Sequence, residues 1–197
     1  DTFKLNFKSS NAKFFLLLVI ATLPVIVIGF LLKYSEFSNN LRSMELVGFT
    51  TIIFGFFLYF SDRKGKKDRT QSSWSYKDAL IMGFWQSLAL IPGTSRSGST
   101  ITGALLLGFS RKSSANLSML MSIPTILASS TLLIVDLANG NIGQSNISVF
   151  VMGTSLSFLA GLIALSFFIR FIRTRNFTPF VIYRVLFGLL ILFLAYY

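Results

Sequence analysis

The chain contains no cysteine and no histidine. Without cysteine there is no disulfide, no thiolate nucleophile and no thiolate-bound metal. Without histidine, the commonest general base near neutral pH and the commonest transition-metal ligand are both missing. A metal would have to be a hard, oxygen-bound ion such as Mg²⁺ or Ca²⁺. Charge is scarce as well: 13% of the 197 residues are charged, against about a quarter in soluble domains. Acids are the scarcest of all, seven in total, and Glu36, Glu45, Asp62, Asp68 and Asp136 fall in loops or at the ends of apolar runs. What is abundant is apolar, with 53% hydrophobic residues and 22 Phe. Such a chain is an integral membrane protein of several helices that cannot exist as a soluble globule. Its length suits one membrane domain over residues 1–197, with no room for a second, soluble domain.

The net charge of +11 would suggest nucleic acid in a soluble protein. Here the Lys and Arg residues cluster in the gaps between apolar runs, which is the positive-inside pattern of a membrane protein. No interleaved aromatic and basic motif supports nucleic-acid binding. The first residue is Asp, not Met. The apolar stretch that follows is too long for a signal-peptide core and has no small-residue cleavage pattern, so the natural start is expected upstream.

A spanning helix needs about 20 mostly apolar residues. Runs of this kind predict spans at 14–32, 46–60, 117–135, 149–169 and 180–197. Pro24 and Pro124 are expected to kink the first and third. Gly153, Ser157 and Gly161 form a small-residue stripe suited to close helix packing. Ser61 to Lys77 carries Arg63, Lys64, Lys66, Lys67, Arg69 and Lys77 and reads as a solvated, cytoplasmic loop. Trp74, Trp85, Tyr196 and Tyr197 are expected at membrane interfaces. Arg184, early in the last run, reads equally as a buried partner of an acid or phosphate or as a snorkelling cation.

Residues 79–109 differ from these runs. They are broken in the middle by Pro92-Gly93-Thr94-Ser95-Arg96-Ser97-Gly98-Ser99-Thr100, and neither apolar flank is long enough to cross a bilayer. Irregular backbone at membrane depth survives only where protein buries it or where it lines a wet cavity. The segment therefore reads as a re-entrant helix–loop–helix. Charge placement agrees. Lys4, Lys8 and Lys13, the basic loop and the Arg170-Arg173-Arg175 cluster all fall inside, and Asn139–Ser148, without Lys or Arg, falls outside. The expected fold is thus all-α, a polytopic membrane bundle of about five spans plus one re-entrant hairpin.

The polar break is where chemistry concentrates. An arginine at membrane depth is a functional site by default and needs an anionic partner. No carboxylate lies between Asp78 and Asp136, which makes an anionic ligand the natural candidate. Gly93 and Gly98 let successive N–H groups turn toward one point. Ser97, Gly98 and Ser99 open the next helix, whose N-terminus favours anions. The hydroxyls of Ser95, Ser97, Ser99 and Thr100 can donate to phosphoryl oxygens, and Arg96 supplies a fixed charge in a bidentate fork. Thr94 lies within the same loop. Gln86 faces the loop by spacing, either as a ligand contact or as a hydrogen bond to a neighbouring helix. The competing interpretation is a plain Gly/Ser/Pro turn with Arg96 snorkelling to the surface.

Gln86 to Thr100, QSLALIPGTSRSGST, closely resembles the second signature of the undecaprenyl-diphosphate phosphatases, PGxSRSxxT, with Pro92, Gly93, Ser95, Arg96, Ser97 and Thr100 at its defined positions. The likeness extends to Leu16–Leu32, Gly103–Arg111, Ser118–Pro124 and Tyr183–Arg184 with Gly188. The resemblance implies hydrolysis of undecaprenyl diphosphate to undecaprenyl phosphate and inorganic phosphate, recycling of the wall-polymer lipid carrier, and bacitracin resistance. It also implies a multi-pass protein of the bacterial plasma membrane, a divalent cation (Mg²⁺ or Ca²⁺), and a fold of inverted repeats with two re-entrant segments. Arg96 would hold the diphosphate, with Ser95, Ser97 and Thr100 helping to bind phosphate. The implied partners are the polyprenyl diphosphate and membrane lipids, with a homo-oligomer open and nucleic acid excluded. The family's glutamate-rich signature, which is thought to hold the cation, has no match here. Metal ligands are therefore expected outside this chain, which reads as lacking the first repeat. A polyprenyl-phosphate flippase needs the same anion pocket and a broken helix, and a non-catalytic scaffold is the third alternative.

Overall fold

The computed structural model describes residues 10–33, 43–64, 66–138, 147–174 and 176–197. The expectations for Asp1, Lys4, Lys8, Glu36, Arg175 and most of the Asn139–Ser148 loop lie outside these residues. Among the described residues the chain forms seven α-helices: α1 (Ser10–Lys33), α2 (Met44–Arg63), α3 (Tyr76–Ser87), α4 (Arg96–Leu106), α5 (Arg111–Ala138), α6 (Ile147–Thr174) and α7 (Thr178–Tyr196). Short 3₁₀ turns occupy Gln71–Ser73 and Leu88–Leu90. Five helices, α1, α2, α5, α6 and α7, are long and apolar enough to cross a membrane. Each runs past the expected limits at one end or both, because hydropathy marks the apolar centre of a helix while capping chemistry sets its ends. Ser43, for instance, starts α2 by accepting a hydrogen bond from the Leu46 N–H.

The chain divides into two units, Asp1–Thr125 with Asn176–Tyr197, and Ile126–Arg175. The second holds the end of α5 and all of α6. The described α6 side chains are exposed, and nothing approaches Gly153 or Gly161 within 4 Å. Within this unit the small-residue stripe has no packing partner among the described residues. Lipid satisfies the face of a membrane helix as well as a protein neighbour does.

In the first unit, α1 packs on α3, α2 on α7, and α3 and α4 form a hairpin that also meets α2. Two crossings bring backbones together. A Cβ on Gly83 of α3 would lie 2.5 Å from the Ala21 carbonyl oxygen, and one on Gly188 of α7 would lie 2.6 Å from Ile52 and 3.0 Å from the Gly48 carbonyl oxygen. Small residues at such crossings are how membrane helices gain packing without a hydrophobic drive. Leu17, Ala21, Trp74, Ala79, Met82, Ala104, Phe109, Leu117 and Met121 form the buried apolar cluster.

The hairpin starts and ends at the same side, where one residue holds both ends. Arg69 Nη2 lies 2.5 Å from Asp78 Oδ2 at the start of α3, and its Nη1 donates to the Leu107 carbonyl at 2.9 Å just past α4. Its backbone bridges Gly108 and Ser110, and its guanidinium stacks over the Phe109 ring at 4.2 Å. Most described residues of Ser61–Lys77 are exposed, as expected of a solvated loop, but Asp62, Arg69 and Trp74 tie the stretch to the bundle. Asp62 is 4% exposed, accepts from Arg111 Nε at 2.6 Å and from the Phe177 N–H at 3.2 Å, and its own carbonyl accepts from Lys67 Nζ. Trp74 is 3% exposed and packs on Phe14, and Trp85 packs against Gly103. The loop docks because the hairpin ends present backbone groups that need partners.

Asp78 also completes a capping box with Ser75. Burial pushes its carboxyl up, but hydrogen bonds from Arg69 and Ser75 outweigh that and hold it below the ordinary value of 3.8. A carboxyl lowered in the folded state stabilises fully above its unfolded value and loses that contribution as pH falls through the folded value. Asp78→Asn should therefore be less stable near neutrality. Its melting temperature should fall less steeply than that of the parent as pH drops below about 4. Parallel acid limbs of the two Tm–pH curves would show that the carboxylate is not what holds the hairpin.

Candidate anion site at the Pro92–Thr100 loop

After α3 the backbone tightens into the 3₁₀ turn Leu88–Leu90, and Ile91–Ser95 form the tip of the hairpin. The tip needs two left-handed residues, Gly93 at φ 87° and Ser95 at φ 66°. For serine this conformation is strained, and strain of this kind marks functional turns. Ser95 caps α4, its Oγ accepting from the Gly98 N–H at 3.3 Å and lying 3.4 Å from Ser97 Oγ. The Ser99 N–H donates to the Ser95 carbonyl, which leaves the Arg96 and Ser97 N–H groups open at the helix start.

Neighbouring helices hold this tip from two sides. From α2, Thr50 Oγ1 donates to the Pro92 carbonyl at 2.6 Å and Thr51 Oγ1 lies 3.1 Å from the Gly93 carbonyl. From α7, Arg184 Nη2 donates to the same Gly93 carbonyl at 2.8 Å and Nε to the Thr51 carbonyl at 3.2 Å. Arg184 is 4% exposed. It is buried, and the snorkelling alternative fails. On the other side α5 receives α4. Arg96 Nη1 donates to the Ser122 carbonyl at 3.2 Å, and Thr100 Oγ1 sits 2.5 Å from Ser118 Oγ.

The expected site residues therefore fall into groups. Ser95 and Ser97 are exposed at the start of α4 and Arg96 beside them is half-buried. Gly93 and Gly98 bracket the turn. Thr100 is buried in the α4–α5 seam, with its hydroxyl engaged there. Gln86 is fully buried and donates from Nε2 to Thr125 Oγ1 at 2.9 Å, the neighbouring-helix alternative, while its Oε1 has no partner. Thr94 Oγ1 and Ser99 Oγ are likewise buried without partners among the described residues. Sequence reasoning missed Thr50, Thr51 and Thr125, whose only signal was a hydroxyl inside an apolar run, and reached Ser118 and Ser122 only as part of the family-like Ser118–Pro124 stretch.

The described residues offer a divalent cation no carboxylate set. No group of three or more His, Cys, Asp or Glu occurs among them, and Asp62 and Asp78 are taken by Arg111 and Arg69.

Five apolar helices of spanning length, with one strained polar break carrying open N–H groups, unpartnered hydroxyls and two arginines, define a multi-pass membrane protein with the donor set of an anion site. The family described as bacitracin resistance protein BacA matches residues 1–190, and the chain belongs to that family. An undecaprenyl-diphosphatase of Dinoroseobacter shibae is 50% identical over 181 residues, covering 92% of this chain and 67% of that protein. That of Jannaschia sp. is 44% identical over 189 residues, covering 94% and 69%. That of Ruegeria pomeroyi is 45% identical over 179 residues, covering 91% and 67%.

Proposed function

We propose that this chain hydrolyses undecaprenyl diphosphate to undecaprenyl phosphate and inorganic phosphate in the bacterial plasma membrane, and thereby confers bacitracin resistance. The observation that carries the proposal is the clamped Pro92–Thr100 loop, present in a chain half identical to a named undecaprenyl-diphosphatase. Water adds to the terminal phosphorus, the bond from that phosphorus to the bridging oxygen breaks, and the lipid monophosphate leaves. The loop's part is electrostatic. The open N–H groups of Arg96 and Ser97, the hydroxyls of Ser95 and Ser97, and the Arg96 guanidinium face an anion at a helix N-terminus. They stabilise the charge that gathers on the equatorial and leaving oxygens. Thr94 and Ser99 offer further donors once a ligand is in place, and Gly93, Gly98 and Gln86 shape the cradle. The divalent cation implied by the resemblance finds no ligand set in the described residues, and no step here depends on it.

The α3–α4 hairpin is read as re-entrant and as one element of an inverted-repeat fold. Support comes from helix lengths. Thr50, which touches the tip, lies six residues into α2, about 9 Å along the helix from its N-terminal end at 1.5 Å per residue. The hairpin base, at Arg69 and Asp78, sits at the basic end. These lengths support a site at membrane depth and nearer the outer face, where a carrier diphosphate is released.

The test is phosphate release from undecaprenyl diphosphate by the purified chain in detergent, with and without Mg²⁺ or Ca²⁺, alongside a liposome flipping assay. Phosphate release supports hydrolysis. Flipping without phosphate release would replace the proposal with the transporter reading.

A further inference from the structure

Arg184 carries a charge without a counter-ion among the described residues. Its Cβ packs where a Gly55 Cβ would come within 3.5 Å, and its guanidinium then extends along α2 to the loop. Nε and Nη2 end on the Thr51 and Gly93 carbonyls. Nη1 has no hydrogen-bond partner among the described residues and lies 3.0 Å from the position of a Gly98 Cβ, at the start of α4. The guanidinium therefore reaches from Gly93 to Gly98, the two glycines bracketing the loop. The ion pairs among the described residues belong to Arg69 with Asp78 and Arg111 with Asp62. A buried cation without a partner is expensive, and here it adds to the positive end of a helix and to Arg96. Ser99 Oγ and Thr94 Oγ1, both buried and unpartnered, face the same shortage of acceptors.

We infer that Arg184 is a second anion-binding residue of this loop, whose charge selects a diphosphate over a monophosphate. The inference rests on the proposed phosphatase reading of the site. Two guanidiniums and a helix N-terminus match the two to three negative charges of a lipid diphosphate better than the smaller charge of the monophosphate product. Arg96 approaches from α4 and Arg184 from α7, so the anion is held from both sides and the product is held less tightly than the substrate.

The competing role is purely positional, since Arg184 also holds the Gly93 carbonyl. Two substitutions separate the roles. Arg184→Gln keeps an N–H₂ donor for that carbonyl and removes the charge. Arg184→Lys keeps the charge and loses the fork. Binding of inorganic pyrophosphate and inorganic phosphate to the purified chain is measured by titration calorimetry, with melting temperature as the check on folding. The parent chain should bind pyrophosphate at least about tenfold more tightly than phosphate. Arg184→Gln should lose about tenfold in pyrophosphate affinity and bring the two ligands level, while Arg184→Lys stays within about threefold of the parent. A folded Arg184→Gln chain with parental affinity and selectivity overturns the inference, as does a folded Arg184→Lys chain that binds no pyrophosphate. If Arg96→Gln abolishes binding while Arg184→Gln does not, this inference alone fails. If the parent binds neither anion, the anion reading of the loop fails with it.

Discussion

Arg96→Ala should lower phosphate release from undecaprenyl diphosphate by roughly 10²–10³-fold, the loss seen when one pre-placed donor to a developing oxyanion is removed. The reduction should appear mainly in kcat, because charge builds on the transferring phosphoryl group as its bond breaks. Folding should survive. Among the described residues the guanidinium of Arg96 makes one hydrogen bond, to the Ser122 carbonyl, and the seam beside it is held by Thr100 and Ser118. Arg96→Lys should recover part of the rate, since a point charge replaces the charge of the fork but not its geometry. Initial rates on a prenyl diphosphate, with melting temperature as control, decide the matter. Normal turnover by a folded Arg96→Ala chain would remove this residue from the mechanism.

Gly93→Ala should be almost as damaging, for a different reason. Its φ of 87° disfavours any side chain, and the new Cβ would lie 2.2 Å from Thr50 Oγ1 and 2.4 Å from the Val47 carbonyl oxygen. The Thr50 hydroxyl could turn away only by giving up its bond to Pro92, and the Val47 carbonyl is helix backbone that cannot retreat without unwinding α2. The tip must move instead, breaking the contacts of Pro92 and Gly93 with Thr50, Thr51 and Arg184. A displacement of about 1 Å in a catalytic loop suffices for a 10²-fold loss. Gly108 supplies the control. It has the same kind of backbone, φ 85°, yet its added Cβ would meet nothing closer than 3.6 Å. Gly108→Ala should therefore destabilise by about 1–2 kcal/mol and leave turnover nearly intact. Equal losses of activity in the two variants would show that backbone strain, not the clamp, is what matters at Gly93.

The spans were legible because apolar runs bounded by Lys and Arg leave few alternatives in lipid. The hairpin was legible because Pro92-Gly93 interrupts a run too short on either side to cross. Docking of the basic loop was not. Nothing in a Lys- and Arg-rich stretch distinguishes Arg69, which ties together residues 9 and 38 positions away, from Lys66 or Lys77, which are exposed. The clamp was hidden for the same reason. Its bonds link residues 42, 91 and 133 positions apart, and local pattern carries no information at that range. Thr50 and Thr51 look like tolerated hydroxyls in an apolar helix, and Thr100 looks like a ligand donor until Ser118 is seen beside it. Arg184 could be flagged as an intramembrane charge, but its direction depended on α2 lying alongside.

The distance between Gly93 and Arg184, 91 residues, also sets a timetable. At roughly 5–20 residues per second of synthesis, the loop leaves the ribosome some 5–20 s before α7 can grip it. During that interval neither arm of the hairpin is long enough to be integrated as a span, and its strained tip has only the α2 side of the clamp. The hairpin must wait, partly assembled, for a helix not yet made. A ribosome stalled before α7 would leave the loop without the Arg184 half of its clamp.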